Sequence, residues 1–176
     1  MHVSPVKKLV VGSALVIGIA ILSSPRVEAA TATANLDVTA TVTGACTIFT
    51  APVSFGNYNG GLYPLGTPSD VTGSVTINCT NSAAATVTLS TGANAAAGST
   101  PSVPIRRMAG PGVPKLSYDL YQDAARTTTF GGTAATGVVR TGTGADDVVS
   151  VYGRLPGGQS VPLGSYADTV VATVTF

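Results

Sequence analysis

The stretch Ala34-Asn35-Leu36-Asp37-Val38-Thr39-Ala40-Thr41-Val42-Thr43 alternates apolar and polar residues without a break. An extended backbone points successive side chains to opposite faces, so Leu36, Val38, Ala40 and Val42 share one apolar face. The spacing predicts a strand that is hydrophobic on one side only. It stands just before the first cysteine, Cys46, and just after a segment that reads as an export signal. With nothing upstream to pair with, it must find a sheet edge, in its own domain or in another molecule.

The export signal is read over residues 1–29. Lys7 and Lys8 form a basic start, Leu9 to Leu22 is an apolar run, and Val27-Glu28-Ala29 offers residues a signal peptidase accepts. The run is short of the roughly 20 apolar residues of a membrane-spanning helix, so no stable membrane insertion is expected after cleavage; a retained anchor is the alternative. Cleavage after Ala29 removes His2 and Glu28, the only histidine and the only glutamate. The remaining charges are Arg106, Arg107, Lys115, Arg126, Arg140 and Arg154 against seven aspartates, a net charge of −1. That excludes a basic field of the kind that holds nucleic acid.

Gly, Thr, Val and Ala dominate residues 30–176, and helix formers are scarce. Thr and Val suit pleated strands, and Gly and Pro supply turns. The composition predicts an all-β fold, and short strands separated by turn residues predict a single-domain sandwich. Strands are expected at Cys46–Phe49, Val53–Tyr58, Val71–Cys79, Ala85–Leu89, around Arg106–Met108, at Leu116–Tyr121, near Val138-Val139, at Asp147–Tyr152 and at Asp168–Phe176. Asn59-Gly60-Gly61 is expected to turn the chain, and the Ala-rich patches 83–85 and 93–97 to be loop. In the last strand Val170, Ala172, Val174 and Phe176 form one face.

Cys46 and Cys79 are the only cysteines, in a chain bound for an oxidising compartment, so a disulfide is expected. A two-thiol metal site is the rival, with no histidine left to complete it. Ser-His-Asp and Cys-His catalysis are excluded for the same reason. No nucleophile elbow and no phosphate-binding loop pattern occurs. Asp146-Asp147 are strand neighbours that point to opposite faces, which does not suit paired-carboxylate hydrolysis. Asp119 and Asp123 flank Tyr121 near Arg126, which suits a calcium or sugar contact, or a solvated turn with a local ion pair. No catalytic, cofactor-binding or metal-binding residue is assigned.

Six segments, taken in order, carry a resemblance. They are Gly44-Ala45-Cys46-Thr47, Phe55-Gly56-Asn57-Tyr58, Val75-Thr76-Ile77-Asn78-Cys79, Tyr118 to Arg126, Tyr152-Gly153-Arg154-Leu155-Pro156 and Gly164 to Val170. Together they resemble the spore coat protein U domain family, which includes subunits of archaic (Csu-type) chaperone–usher pili. The resemblance implies an immunoglobulin-like β-sandwich lacking its last strand, exported to the periplasm and then to the cell surface of a Gram-negative bacterium. It implies three partners: a periplasmic chaperone that lends a strand, an outer-membrane usher, and further subunits that donate theirs.

On that basis residues 1–29 are the signal peptide, 30–44 the donor-strand extension and 45–176 the pilin-like domain. Leu36, Val38, Ala40 and Val42 are the donor plugs, and Val170, Ala172, Val174 and Phe176 edge the acceptor groove. The function expected is a pilus subunit supporting adhesion and biofilm formation. A non-pilus coat or matrix protein is the first alternative, and a secreted sugar- or calcium-binding module the second. Whether the 34–43 strand acts in another molecule or folds back stays open at this point.

Overall fold

A computed structural model describes residues 26–59 and 66–176. The expected signal segment up to residue 25 and the Gly60-Gly61 turn lie outside the described residues. Thr41–Phe176 forms one compact unit, whose regular elements are strands apart from one short 3-10 turn at Ala134–Thr136. A five-stranded sheet is ordered β1-β2-β7-β5-β4 and a three-stranded sheet β6-β3-β8. The larger sheet comprises β1 (Cys46–Ala51), β2 (Ser69–Cys79), β7 (Asp146–Leu155), β5 (Leu116–Tyr121) and β4 (Arg106–Met108). The smaller comprises β6 (Val138–Thr141), β3 (Ala84–Leu89) and β8 (Ala172–Thr175). All pairings are antiparallel.

Alternation decides which residues meet between the sheets. Val75, Ile77 and Cys79 of β2, Val149, Val151 and Leu155 of β7, Leu116, Tyr118 and Leu120 of β5, and Ala85, Val87 and Leu89 of β3 are buried. Within each strand they fall on alternate positions, the period of two that a pleated strand imposes. Phe130 joins this core from the loop after β5.

Two features depart from the expected strands. Residues 52–59 are not a strand. They run over a notch in the larger sheet where Gly73 and Gly153 present no side chain. A Cβ on Gly153 would stand 2.6 Å from Val53 and 3.0 Å from the Phe55 ring, and one on Gly73 would stand 2.7 Å from Val53. Val53 and Phe55 thus fill space that two ordinary residues would occupy. The other departure is at residues 83–85, expected as loop: β3 begins at Ala84, and Ala85 is buried. Ala85 takes the first inward-facing position of β3, followed by Val87 and Leu89 on the same face.

The last strand is shorter than expected. Residues 169–171 bond to the loop after β3 instead of extending the ladder. Ala93 N donates to Thr169 O at 3.0 Å, and Ser90 N donates to Val171 O at 2.9 Å. β1 and β7 run from the end holding Cys46 and Asp146 towards the end holding Leu155, and β2, β5 and β8 run back. These are called the Cys46 end and the Leu155 end below.

An open edge between β1 and β8

β1 closes one side of the larger sheet and β8 the same side of the smaller, and their Cα atoms approach within 8 Å. No further strand lies beyond either of them among the described residues. Cys46 and Ile48 of β1 pack against the core from one side of this opening, Val170, Ala172 and Val174 from the other, and all five remain partly exposed. The core behind them stays buried, so these five residues form its partly covered border. Val171 and Phe176 are 59% exposed. Of the four residues expected to edge a groove, three line the opening and Phe176 stands beyond the last paired residue.

A separate cleft of about 990 Å³ lies at the Leu155 end between residues 53–59 and 159–168, over Met108, Leu116, Tyr118 and Leu155; none of the five residues at the β1–β8 opening lines it. Its floor includes Phe55, Leu116 and Leu155, and the polar side chains of Tyr58, Gln159, Tyr118 and Asp168 on its walls have partners within the protein. Tyr58 OH donates to Pro156 O at 2.8 Å and accepts from Gln159 N at 3.0 Å. The Gln159 amide accepts from Ser117 N at 2.7 Å and donates to Ser117 O at 2.8 Å. It continues the ladder of β5 where β7 has ended. Asp168 accepts from Tyr118 OH at 2.7 Å and from Asn94 N and Nδ2 at 3.0 and 3.1 Å. Burial, and then that bond to Asp168, push the Tyr118 phenol well above its ordinary range. With these groups satisfied, the cleft offers packing surface rather than chemistry.

The predicted donor residues carry no regular element over 26–45, and Leu36, Val38 and Val42 are 87%, 85% and 85% exposed; Ala40 is exposed too. Cys46 and Cys79 form a disulfide with Cα atoms 4.1 Å apart, and they face each other in the β1–β2 register.

The acidic residues singled out from sequence have local duties. Asp123 accepts from Thr127 N, Thr127 Oγ1 and Thr128 N at 2.7–3.2 Å. The Thr127 and Thr128 amides hold its carboxyl down to about 2. Asp119 faces Arg154 across the β5–β7 ladder, and burial raises its carboxyl above the ordinary range. Arg126, expected to pair within its own turn, instead reaches Asp70 of β2 at 3.3 Å and lies over the Tyr152 ring at 5.9 Å. Asp147 pairs with Arg140 at 3.1 Å while Asp146 accepts from Asn78. Among the described residues no three metal-capable side chains cluster.

Sequence reasoning missed Arg106, which is 2% exposed. Its guanidinium donates to the carbonyls of Leu89, Ser90 and Phe130 at 2.7–3.1 Å, and burial lowers its pKa. It ties β4 to the loops at the Leu155 end. Cations are so rarely buried that no pattern in the sequence would have signalled it.

The two sheets form an immunoglobulin-like sandwich in which β1 and β8 are neighbouring edge strands with no further strand beyond them among the described residues. Residues 32–173 match the Spore Coat Protein U domain, and the chain belongs to that family. It is 46% identical over 156 residues to Protein U of Myxococcus xanthus, covering 85% of this chain and 87% of that protein. Among solved structures it shares the fold of a chain in the crystal structure of the CsuC–CsuE chaperone–tip adhesion subunit pre-assembly complex from archaic chaperone–usher Csu pili of Acinetobacter baumannii. That match has a TM-score of 0.51 and 21% identity over 77% of this chain. This chain spans 40% of that one. A fainter likeness, TM-score 0.34 at 17% identity over 74% of this chain and 79% of the other, is to HdaB, the minor tip subunit of the E. coli Hda pilus.

Proposed function

We propose that this chain is a structural subunit of a surface pilus, assembled by donor-strand exchange through a periplasmic chaperone and an outer-membrane usher. The fibre would support adhesion and biofilm formation. Residues 1–29 direct export, residues 30–44 carry the donor strand, and Leu36, Val38, Ala40 and Val42 plug the opening of another copy beside Val170, Ala172, Val174 and Phe176. The observation that carries the reading is the open edge between β1 and β8, in a chain that also contains an exposed segment, residues 34–43, whose apolar residues alternate with the same period of two. Burying two valines and a leucine contributes about 5–8 kcal/mol before ordering costs.

Topology supports one orientation for the donated strand. The donor's folded body starts at its Cys46 end. A strand lying parallel to β1 leaves the acceptor at the Leu155 end, so each copy meets one neighbour at either end. Run the other way, both neighbours would need the Cys46 end, and growth would stop at a pair. The contact is therefore heterologous, and a heterologous contact that does not close propagates as a filament.

Placing charge in the strand tests this. Val38→Asp is expected to abolish polymers while the chaperone complex still forms, because the chaperone fills the groove with its own strand. Polymers persisting in that variant would overturn the strand assignment.

A second reading, that the polymer forms a coat layer and not a pilus, is favoured by the match of residues 32–173 to the Spore Coat Protein U domain. It uses the same joint. Deleting chaperone and usher genes separates the two: loss of surface polymer supports the pilus, and retention supports the coat.

A further inference from the structure

We infer that the paired loops 110–114 and 161–165 seat the folded body of the neighbouring copy, which docks there through its turns at 80–83 and 142–145. The inference rests on the donor-strand reading and adds a second contact to it, body against body.

The connection between donor strand and body is very short. Ala45 already belongs to the body: its N–H donates to Thr80 Oγ1 at 3.1 Å, and its carbonyl accepts from Thr80 N at 2.9 Å. Only Gly44 separates it from Thr43, and one residue reaches about 3.5 Å. The strand leaves the acceptor at the Leu155 end. The donor's Cys46 end is therefore brought directly onto the acceptor's Leu155 end with no spacer between them.

The two surfaces are built differently and suit each other. At the Leu155 end, Leu163 is 99% exposed and Val113 is 93% exposed, the two most exposed large hydrophobic residues of the compact unit. Their loops are braced. Gly164 lies against Pro111, and a Cβ on Gly112 would stand 3.2 Å from Pro162. The Tyr166 ring covers Gly110, and its hydroxyl donates to Pro162 O at 2.8 Å. Apolar groups on rigid loops lose little freedom when covered.

At the Cys46 end, two turns of small residues are bonded into one surface. Ser82 N donates to Gly142 O at 2.8 Å, Gly142 N to Ala83 O at 2.7 Å, and Gly144 N to Cys79 O at 2.9 Å. Asn81, Ser82, Thr143, Gly144 and Ala145 are exposed. Small side chains let a facing backbone come close, and the threonine and alanine methyls give Leu163 apolar contact.

The experiment places a photo-crosslinking amino acid at Leu163 in the full-length exported protein and irradiates preformed polymers. Mass spectrometry is expected to find adducts within residues 80–83 or 142–145 of a second copy. Inserting Gly-Ser after Gly44 should leave polymers intact but lower adduct yield about fivefold, because a longer tether dilutes the second contact. Polymers whose adducts fall elsewhere, or are absent, would overturn the body contact while leaving strand exchange standing. Failure of the exported protein to polymerise at all would remove both.

Discussion

Gly153 shows how one residue can decide the course of a whole segment. Its missing side chain, with that of Gly73, opens the notch that Val53 and Phe55 fill, and Phe55 then meets Tyr118 with ring centroids 6.2 Å apart. Gly153→Ala should destabilise the domain by about 1–3 kcal/mol, the usual cost of overpacking, read as a fall in denaturant midpoint. Asp123 illustrates a charge with a structural task. Its folded pKa is depressed to about 2, below the ordinary aspartate value near 3.9. Its contribution is therefore complete above about pH 4 and is lost as pH falls towards 2. The thermal midpoint of the native protein should drop across that window, and Asp123→Ala should flatten that part of the profile. An unchanged acid limb in the variant would show that the Thr127 and Thr128 bonds do not stabilise the turn.

At the scale of elements, the alternating segments were the legible ones. Leu116–Tyr121 is a strand with the bounds its pattern predicts, and Val75, Ile77 and Cys79 face the core as their spacing requires. Period-two patterning fails where the chain leaves the ladder. Val53–Tyr58 reads like a strand because its apolar residues are buried, but they are buried in a notch made by glycines far away in sequence. The short β8 was hidden for a similar reason, since the bonds of residues 169–171 to Ser90 and Ala93 depend on a loop with no pattern of its own. The alternation of Val170, Ala172 and Val174 was legible, whereas the emptiness beside it was not, because an absent neighbour leaves no mark on a strand's own residues. The β1–β2 disulfide belongs to this scale as well. It fastens the first residue of β1 to the last residue of β2. Replacing both cysteines with serine should cost about 2–4 kcal/mol and lower the yield of exported subunit; an undiminished yield would show that the edge strand holds without it.

In the whole molecule, an exposed alternating segment and a strand edge without a neighbour among the described residues occur in one chain. Ile48 of β1 and Val174 of β8 border the buried core and stay partly exposed, on neighbouring edge strands. For the donated strand, running antiparallel to β8, we propose the register that sets Ala40 beside Ala172, two alanines whose replacement by cysteine adds a single sulfur atom. Cross-strand partners have Cα atoms about 4.5–5.5 Å apart, within reach of a disulfide. The most direct test is to export the Ala40→Cys, Ala172→Cys double variant and run it on a denaturing gel without reductant. Donor-strand exchange predicts a covalent ladder of multimers that collapses to monomer when reductant is added. A monomer carrying an internal 40–172 bond would contradict it, because the strand would then complete its own domain.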